Sequence, residues 1–178
     1  MPLLSEYARR KKIDFFLSDV PKDAKILEVG SGDGWVGEYL TTHGWQNYVG
    51  LDVEAPADIV GDIRNWAELG LDAESFDVLI AFEVVEHIAI FPELYDLLKP
   101  GGVLMVTSPL PHMDWACKIL EAMGLNQRRT SPHTQLIYFE DIPLFERIDS
   151  RIVGLMSQWG KFRKPLHPGC RPNSTLSH

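Results

Sequence analysis

The stretch Lys25-Ile26-Leu27-Glu28-Val29-Gly30-Ser31-Gly32-Asp33-Gly34 decides the fold. A short apolar run that ends abruptly in glycines is a buried strand feeding a tight turn. Residues Trp35 to His43 then read as a helix, with Gly44 as its C-terminal cap. A strand that runs through glycines into a helix places backbone N–H groups and a helix N-terminus at the carboxyl edge of a sheet. Open α/β sheets bind ligands at that edge.

Downstream, strand and helix alternate. Asn47 to Asp52 is a second strand and Ala57 to Val60 a shorter third, with Pro56 breaking the chain between them. Ser75 to Phe82 is the strongest buried strand and should lie centrally. Phe91 to Leu98 forms a helix that Lys99-Pro100-Gly101-Gly102 stops, and Val103 to Thr107 supplies a fifth strand. No Asn-Gly hairpin signal separates neighbouring strands, so right-handed crossovers are expected. The fold class is therefore α/β, a doubly wound, mainly parallel sheet of six to seven strands with helices on both faces.

The flanks read less regularly. Ser5 to Ser18 is an amphipathic helix within a leading segment 1–20, and its basic residues Arg9, Arg10 and Lys12 read as a solvated face. Beyond Thr107 come helices over Met113 to Met123 and Phe139 to Ile148, a last strand over Arg151 to Trp159, and a polar, proline-rich tail from Lys161. One domain over 1–160 and a weakly ordered tail over 161–178 are expected.

Composition narrows the function classes. The 178 residues carry 45% hydrophobic and 24% charged side chains, ordinary for a single globular domain. A net charge of −8 disfavours a broad nucleic-acid surface. Cys117 and Cys170 lie far apart without metal or disulfide spacing. With no signal peptide and no membrane span in the sequence, a cytoplasmic location is expected.

Two cofactors could use the glycine turn. Gly32-Asp33-Gly34-Trp35-Val36-Gly37 matches the GxGxxG dinucleotide pattern, and Asp52 lies near the position of its ribose-binding acid. Charge separates the alternatives. A dinucleotide brings an anionic pyrophosphate, whereas S-adenosylmethionine brings a sulfonium and an ammonium against one carboxylate. Glu28, Asp33, Asp52, Asp62 and Glu83 surround the turn or end later strands, which favours the sulfonium cofactor.

Five ordered motifs point the same way: Ile26 to Gly34, Gly50-Leu51-Asp52, Gly61-Asp62-Ile63, Phe82-Glu83-Val84-Val85-Glu86-His87-Ile88, and Leu98 to Gly102. Over Lys25 to Thr107 they resemble the class I S-adenosylmethionine-dependent methyltransferase family, in particular its small-molecule branch of ubiquinone- and menaquinone-type enzymes. The resemblance implies a Rossmann-like sheet and a cofactor site in which Glu28, Gly30 and Ser31 lie by the methionine portion. It further implies close backbone approach at Gly32 and Gly34, ribose binding by Asp52, and an adenine plane between Val53 and Ile63 with Asp62 facing its amino group. Phe82 and Glu83 would close the methionine side.

The chemistry expected is methyl transfer by direct displacement to a small-molecule acceptor, leaving S-adenosylhomocysteine. Alignment of the acceptor carries most of the catalysis. His87 is the best-placed general base, with His112 and His133 behind it. Pro109, Pro111, His112, Met113, Asp114 and Trp115 are placed to face the acceptor. The spacing of Glu83, Glu86 and His87 would also permit a divalent cation, as in some relatives, but no metal is assigned. Asp33 also reads as a turn former and Asp62 as a helix N-cap before Arg64 to Leu69. The competing functions are a non-catalytic binding or scaffolding protein on the same fold, and an NAD(P)-binding Rossmann protein. A homodimer is compatible with the sequence.

Overall fold

A computed structural model describes residues 2–110, 138–140, 142, 144–154 and 157–166, with side-chain environments from Tyr7 onward. Helix α1 (Pro2–Phe16) precedes β1 (Ile26–Val29), α2 (Trp35–Thr42), β2 (Tyr48–Asp52) and β3 (Ile59–Val60). Then follow β4 (Phe76–Phe82), α3 (Phe91–Leu97), β5 (Leu98–Pro109), β6 (Glu146–Val153) and β7 (Ser157–Arg163). The seven strands form one sheet in the order β3-β2-β1-β4-β5-β7-β6. β1 to β5 pair in parallel, and β7 pairs antiparallel with both β5 and β6.

Side chains alternate between two apolar layers, as strand geometry requires. Ile26, Val78, Ile80, Met105 and Trp159 pack with Phe15, Phe16, Val36 and Leu40 of the α1 and α2 side. Leu27, Leu79, Ala81, Leu104 and Phe162 pack with Leu94 and Leu97 of α3 on the other face. A sheet buried on both faces explains why β4 reads as a continuous apolar run. No helix among the described residues is long and apolar enough to cross a membrane.

Tyr48 sets how closely α2 approaches the sheet. A Cβ at Gly37 would lie 2.5 Å from the Tyr48 ring, and one at Gly50 would lie 2.8 Å from its hydroxyl. Both positions are thus glycine because an aromatic ring occupies the side-chain space. The third glycine of the GxGxxG match serves helix–strand packing and says nothing about a pyrophosphate.

Several expectations are corrected. The strand placed at Arg151 to Trp159 is a hairpin, β6 and β7, that turns near Gly154 (φ +61°). The helix placed at Phe139 to Ile148 is not formed: Phe139 and Glu140 lie in a turn, and Glu146 to Ile148 belong to β6. Phe139, Ile142 and Phe145 mimic a helical stripe, yet all three insert into the core from an irregular segment, and Pro143 disfavours helix at the residue before it. A single 3-10 turn, Ile63–Asn65, replaces the helix expected over Arg64 to Leu69. The helix expected at Met113 to Met123 lies outside the described residues, as do residues 111–115 and His133.

The boundary placed at Lys161 also shifts. Lys161, Phe162 and Arg163 complete β7, with Phe162 in the core. Lys164 is buried too, its ammonium donating to Glu74 Oε1 (2.9 Å), the Tyr95 carbonyl (2.8 Å) and the Leu98 carbonyl (2.9 Å). The charged residues of this segment disguise a strand whose alternate members face the core. Lys164→Met removes three hydrogen bonds from a buried ammonium and leaves two carbonyls unsatisfied. It is expected to lower stability by on the order of 1–3 kcal/mol in urea titrations followed by circular dichroism.

Candidate cofactor site

The glycine turn is anchored to β2 by backbone and carboxylate bonds. Gly30 and Ser31 donate to the Leu51 carbonyl at 2.8 and 3.2 Å, and Gly32 donates to Asp52 Oδ2 at 2.8 Å. Gly32 (φ +52°) and Gly34 (φ +73°) adopt left-handed conformations, and a Cβ added at either would meet no atom within 4 Å. Packing within the chain does not demand glycine there. The backbone twist does, and it leaves open space above a helix N-terminus. Asp52 Oδ1 accepts the Glu54 N–H at 3.2 Å, so the carboxylate bridges both sides of the crevice.

Beneath the turn lies Glu28, almost fully buried in β1 and bonded through Oε2 to the Tyr48 hydroxyl at 2.5 Å. Burial pushes the Glu28 carboxyl up to about 8, against the opposing effect of the Tyr48 bond and with help from the Asp33 and Asp52 charges. Burial and the neighbouring Glu28 likewise raise the Tyr48 phenol.

The other wall is built at the ends of β4 and β5. Glu83 sits in the left-handed region (φ +57°), a strained conformation for a residue with a side chain. Two bonds hold it there: its N–H to the Thr107 carbonyl at 2.9 Å, and Oε1 accepting the Thr107 hydroxyl at 2.7 Å. Glu86 is buried, and its Oε2 has no hydrogen-bond partner among the described residues. Desolvation and the Glu83 charge hold it well above the ordinary carboxylate range.

The sequence-predicted residues separate into groups. Glu28, Gly30, Gly32, Gly34, Asp52, Val53, Phe82 and Glu83 all lie at the carboxyl ends of the parallel strands or in the turns that leave them. Val53 is two-thirds exposed beside the crevice, while Ile63 is buried in the core and offers almost no surface. Ser31 is turned toward Gly50, with its hydroxyl buried. Asp62 caps the 3-10 turn, accepting from the Arg64 N–H at 3.0 Å and ion-pairing with its guanidinium. These bonds lower its pKa, in line with the N-cap reading. His87 follows β4, its N–H donating to the Val84 carbonyl at 2.9 Å. Among the described residues, no group of three His, Cys, Asp or Glu side chains is arranged to hold a metal ion.

Sequence reasoning missed four contributors. Tyr48 read as core, Thr107 read as strand, and Arg9 and Lys12 read as part of a solvated face. Arg9 and Arg10 are exposed as expected, but Arg9 pairs with Asp33 at 2.7 Å, and Lys12 is turned inward, donating to Thr107 Oγ1 at 3.3 Å and pairing with Glu83 at 3.5 Å. No local pattern announces contacts across 24 and 95 residues of chain.

The crevice fits an S-adenosyl group in its donors and acceptors. Open space above Gly32 and Gly34 admits close approach, the paired oxygens of Asp52 match two vicinal hydroxyls, and acids line both ends.

Comparison with known proteins agrees. Residues 4–144 match the family model described as a methyltransferase domain. The probable S-adenosylmethionine-dependent methyltransferase of Mycolicibacterium smegmatis is 37% identical over 97 residues, covering 47% of this chain and 37% of that one. The ubiquinone biosynthesis O-methyltransferase of Azorhizobium caulinodans is 32% identical over 105 residues, covering 49% and 41%. The chain thus matches less than half the length of these curated relatives. Among solved structures, the phosphoethanolamine N-methyltransferase 2 of Haemonchus contortus, in complex with S-adenosyl-L-methionine, superposes with a TM-score of 0.62. It shares 13% identity, with 89% of this chain and 53% of that chain covered. The chain belongs to the methyltransferase-domain family.

Proposed function

We propose that this chain transfers the methyl group of S-adenosylmethionine to a small-molecule acceptor by direct displacement. The observation that carries the reading is the glycine turn itself: left-handed at Gly32 and Gly34, pinned by Asp52, and open above. The cofactor supplies a methyl group on a positively charged sulfur. The chain's own residues bind, orient and shield. Asp52 takes the ribose hydroxyls, Val53 lies along the base with Asp62 at its edge, and Glu28 with Phe82 and Glu83 surrounds the methionine end. In this reading His87, which follows β4, accepts a proton from a hydroxyl acceptor.

The buried acid Glu28 gives this site a particular electrostatic behaviour. In the free protein it keeps a proton up to about pH 8. A cation beside it favours the ionised form, so cofactor binding near neutrality drives the proton off. The apparent affinity for S-adenosylmethionine is therefore expected to rise from pH 6 to pH 8 and then level, measured by calorimetry in buffers of different ionisation enthalpy. Glu28→Gln is expected to flatten that rise, and a wild-type affinity independent of pH would count against the role given to Glu28.

The same shift predicts a stability trend. The folded carboxyl of Glu28 stays protonated up to about pH 8, while an unfolded one ionises near 4.3. Its contribution is thus fully present below the unfolded value and lost as pH rises through the folded one. Glu28→Gln should therefore gain stability relative to wild type between pH 5 and pH 8, by on the order of 4 kcal/mol.

Two substitutions test the roles directly. Asp52→Asn keeps an oxygen for the Gly32 N–H while halving the capacity to accept from the ribose, and should weaken S-adenosylmethionine by about tenfold. His87→Ala should leave that affinity intact and lower turnover by about 100-fold on a hydroxyl acceptor. Wild-type protein that binds a nicotinamide dinucleotide in preference, or that binds S-adenosylmethionine and methylates no member of a broad small-molecule panel, would overturn the proposal.

A further inference from the structure

Helix α1 lies across the crevice and is held at three points of different character. Its C-terminal end is fixed in the core: Phe16 is fully buried, its ring 4.8 Å from Phe82 and 5.7 Å from Trp159. Near the middle, the Lys12 ammonium is mostly covered. It lies 3.3 Å from Thr107 Oγ1, 3.5 Å from Glu83 Oε1 and 5.0 Å from the centre of the Phe82 ring. One turn earlier, Arg9 reaches over the Trp35 ring to Asp33 in the glycine turn itself. The remaining outer face is solvated, with Tyr7 62% exposed.

The environment of Lys12 is the one a cationic ligand would seek. A carboxylate, a hydroxyl oxygen and the face of an aromatic ring form an ammonium site. Two of these groups, Glu83 and Phe82, are the ones the cofactor reading puts at the methionine end, where S-adenosylmethionine brings an ammonium and a sulfonium. Two like charges do not share one carboxylate without repulsion.

Resting on that reading, we propose that Lys12 is an internal competitor for the cofactor's cation. In the free protein its ammonium takes the position beside Glu83, Thr107 and Phe82. Cofactor entry displaces it and unlatches the N-terminal part of α1, which pivots on the buried Phe16. The lysine thereby sets the threshold a ligand's positive charge must exceed to hold the site.

The test uses the full chain and four proteins: wild type, Lys12→Met, Lys12→Arg and Lys11→Met. Lys11 is exposed on the same helix and serves as the control. Calorimetry with S-adenosylmethionine is expected to show Lys12→Met binding about two- to fivefold more tightly, the scale of a partly exposed ion pair. Lys12→Arg and Lys11→Met should bind like wild type. Hydrogen exchange over residues 7–14 should accelerate when S-adenosylmethionine is added to wild type.

Weaker or unchanged binding by Lys12→Met overturns the proposal, as does slower exchange in α1; slower exchange together with weaker binding would make Lys12 a cofactor ligand. If wild type and Lys12→Met both fail to bind S-adenosylmethionine, the cofactor reading itself falls. If both bind and differ in the wrong sense, only the competitor falls.

Discussion

The bond from the Tyr48 hydroxyl to the Glu28 carboxyl joins the packing of this protein to its chemistry. The ring that carries the hydroxyl fills the space over Gly37 and Gly50, so it sets the seat of α2 and with it the position of the glycine turn. The oxygen it reaches belongs to the acid beneath that turn. A smaller residue at 48 would leave the helix unsupported and the acid without its donor. A side chain at 37 or 50 would displace the ring. Three positions far apart in function are thus tied by one aromatic side chain.

This arrangement refines the electrostatic basis of cofactor choice. Acidic residues around the turn favour a sulfonium over a pyrophosphate, but they are not equivalent. Asp33 and Asp52 are accessible at the rim, whereas Glu28 is buried and holds a proton in the free protein. A buried acid that keeps its proton avoids the cost of an unpaired carboxylate in the core. Glu83 is handled differently, its backbone strained and its charge shared between Thr107 and Lys12.

Much of the architecture was legible because it is encoded locally. The strand-to-glycine transition at Val29–Gly30 and the apolar run of β4 each carry their signal within a few residues, and the same holds for the positions of Asp52 and Glu83 where strands end. The Lys99-Pro100-Gly101-Gly102 stretch read as a break instead lies inside β5. What escaped notice depends on contacts distant in sequence. β7 is disguised by Lys161 and Arg163, whose charges interrupt a strand that is otherwise largely buried between β5 and β6. The irregular segment at Phe139 imitates a helix because its apolar residues fall three apart. Lys12 and Arg9 resemble any solvated basic face until the fold brings Glu83 and Asp33 beneath them.

The two edges of the sheet have a bearing on how this molecule behaves at high concentration. At one end β3 contains only two residues, too short to template a neighbouring strand. At the other, β6 is exposed along its length, but its pairing with β7 slips between Arg147 and Asp149, a bulge among charged side chains. An open sheet of seven strands offers unpaired backbone at both margins, and here each margin is interrupted in its own way. Resistance to edge-to-edge aggregation is thus built into the outermost strands, leaving the central strands free to be as apolar as the core requires.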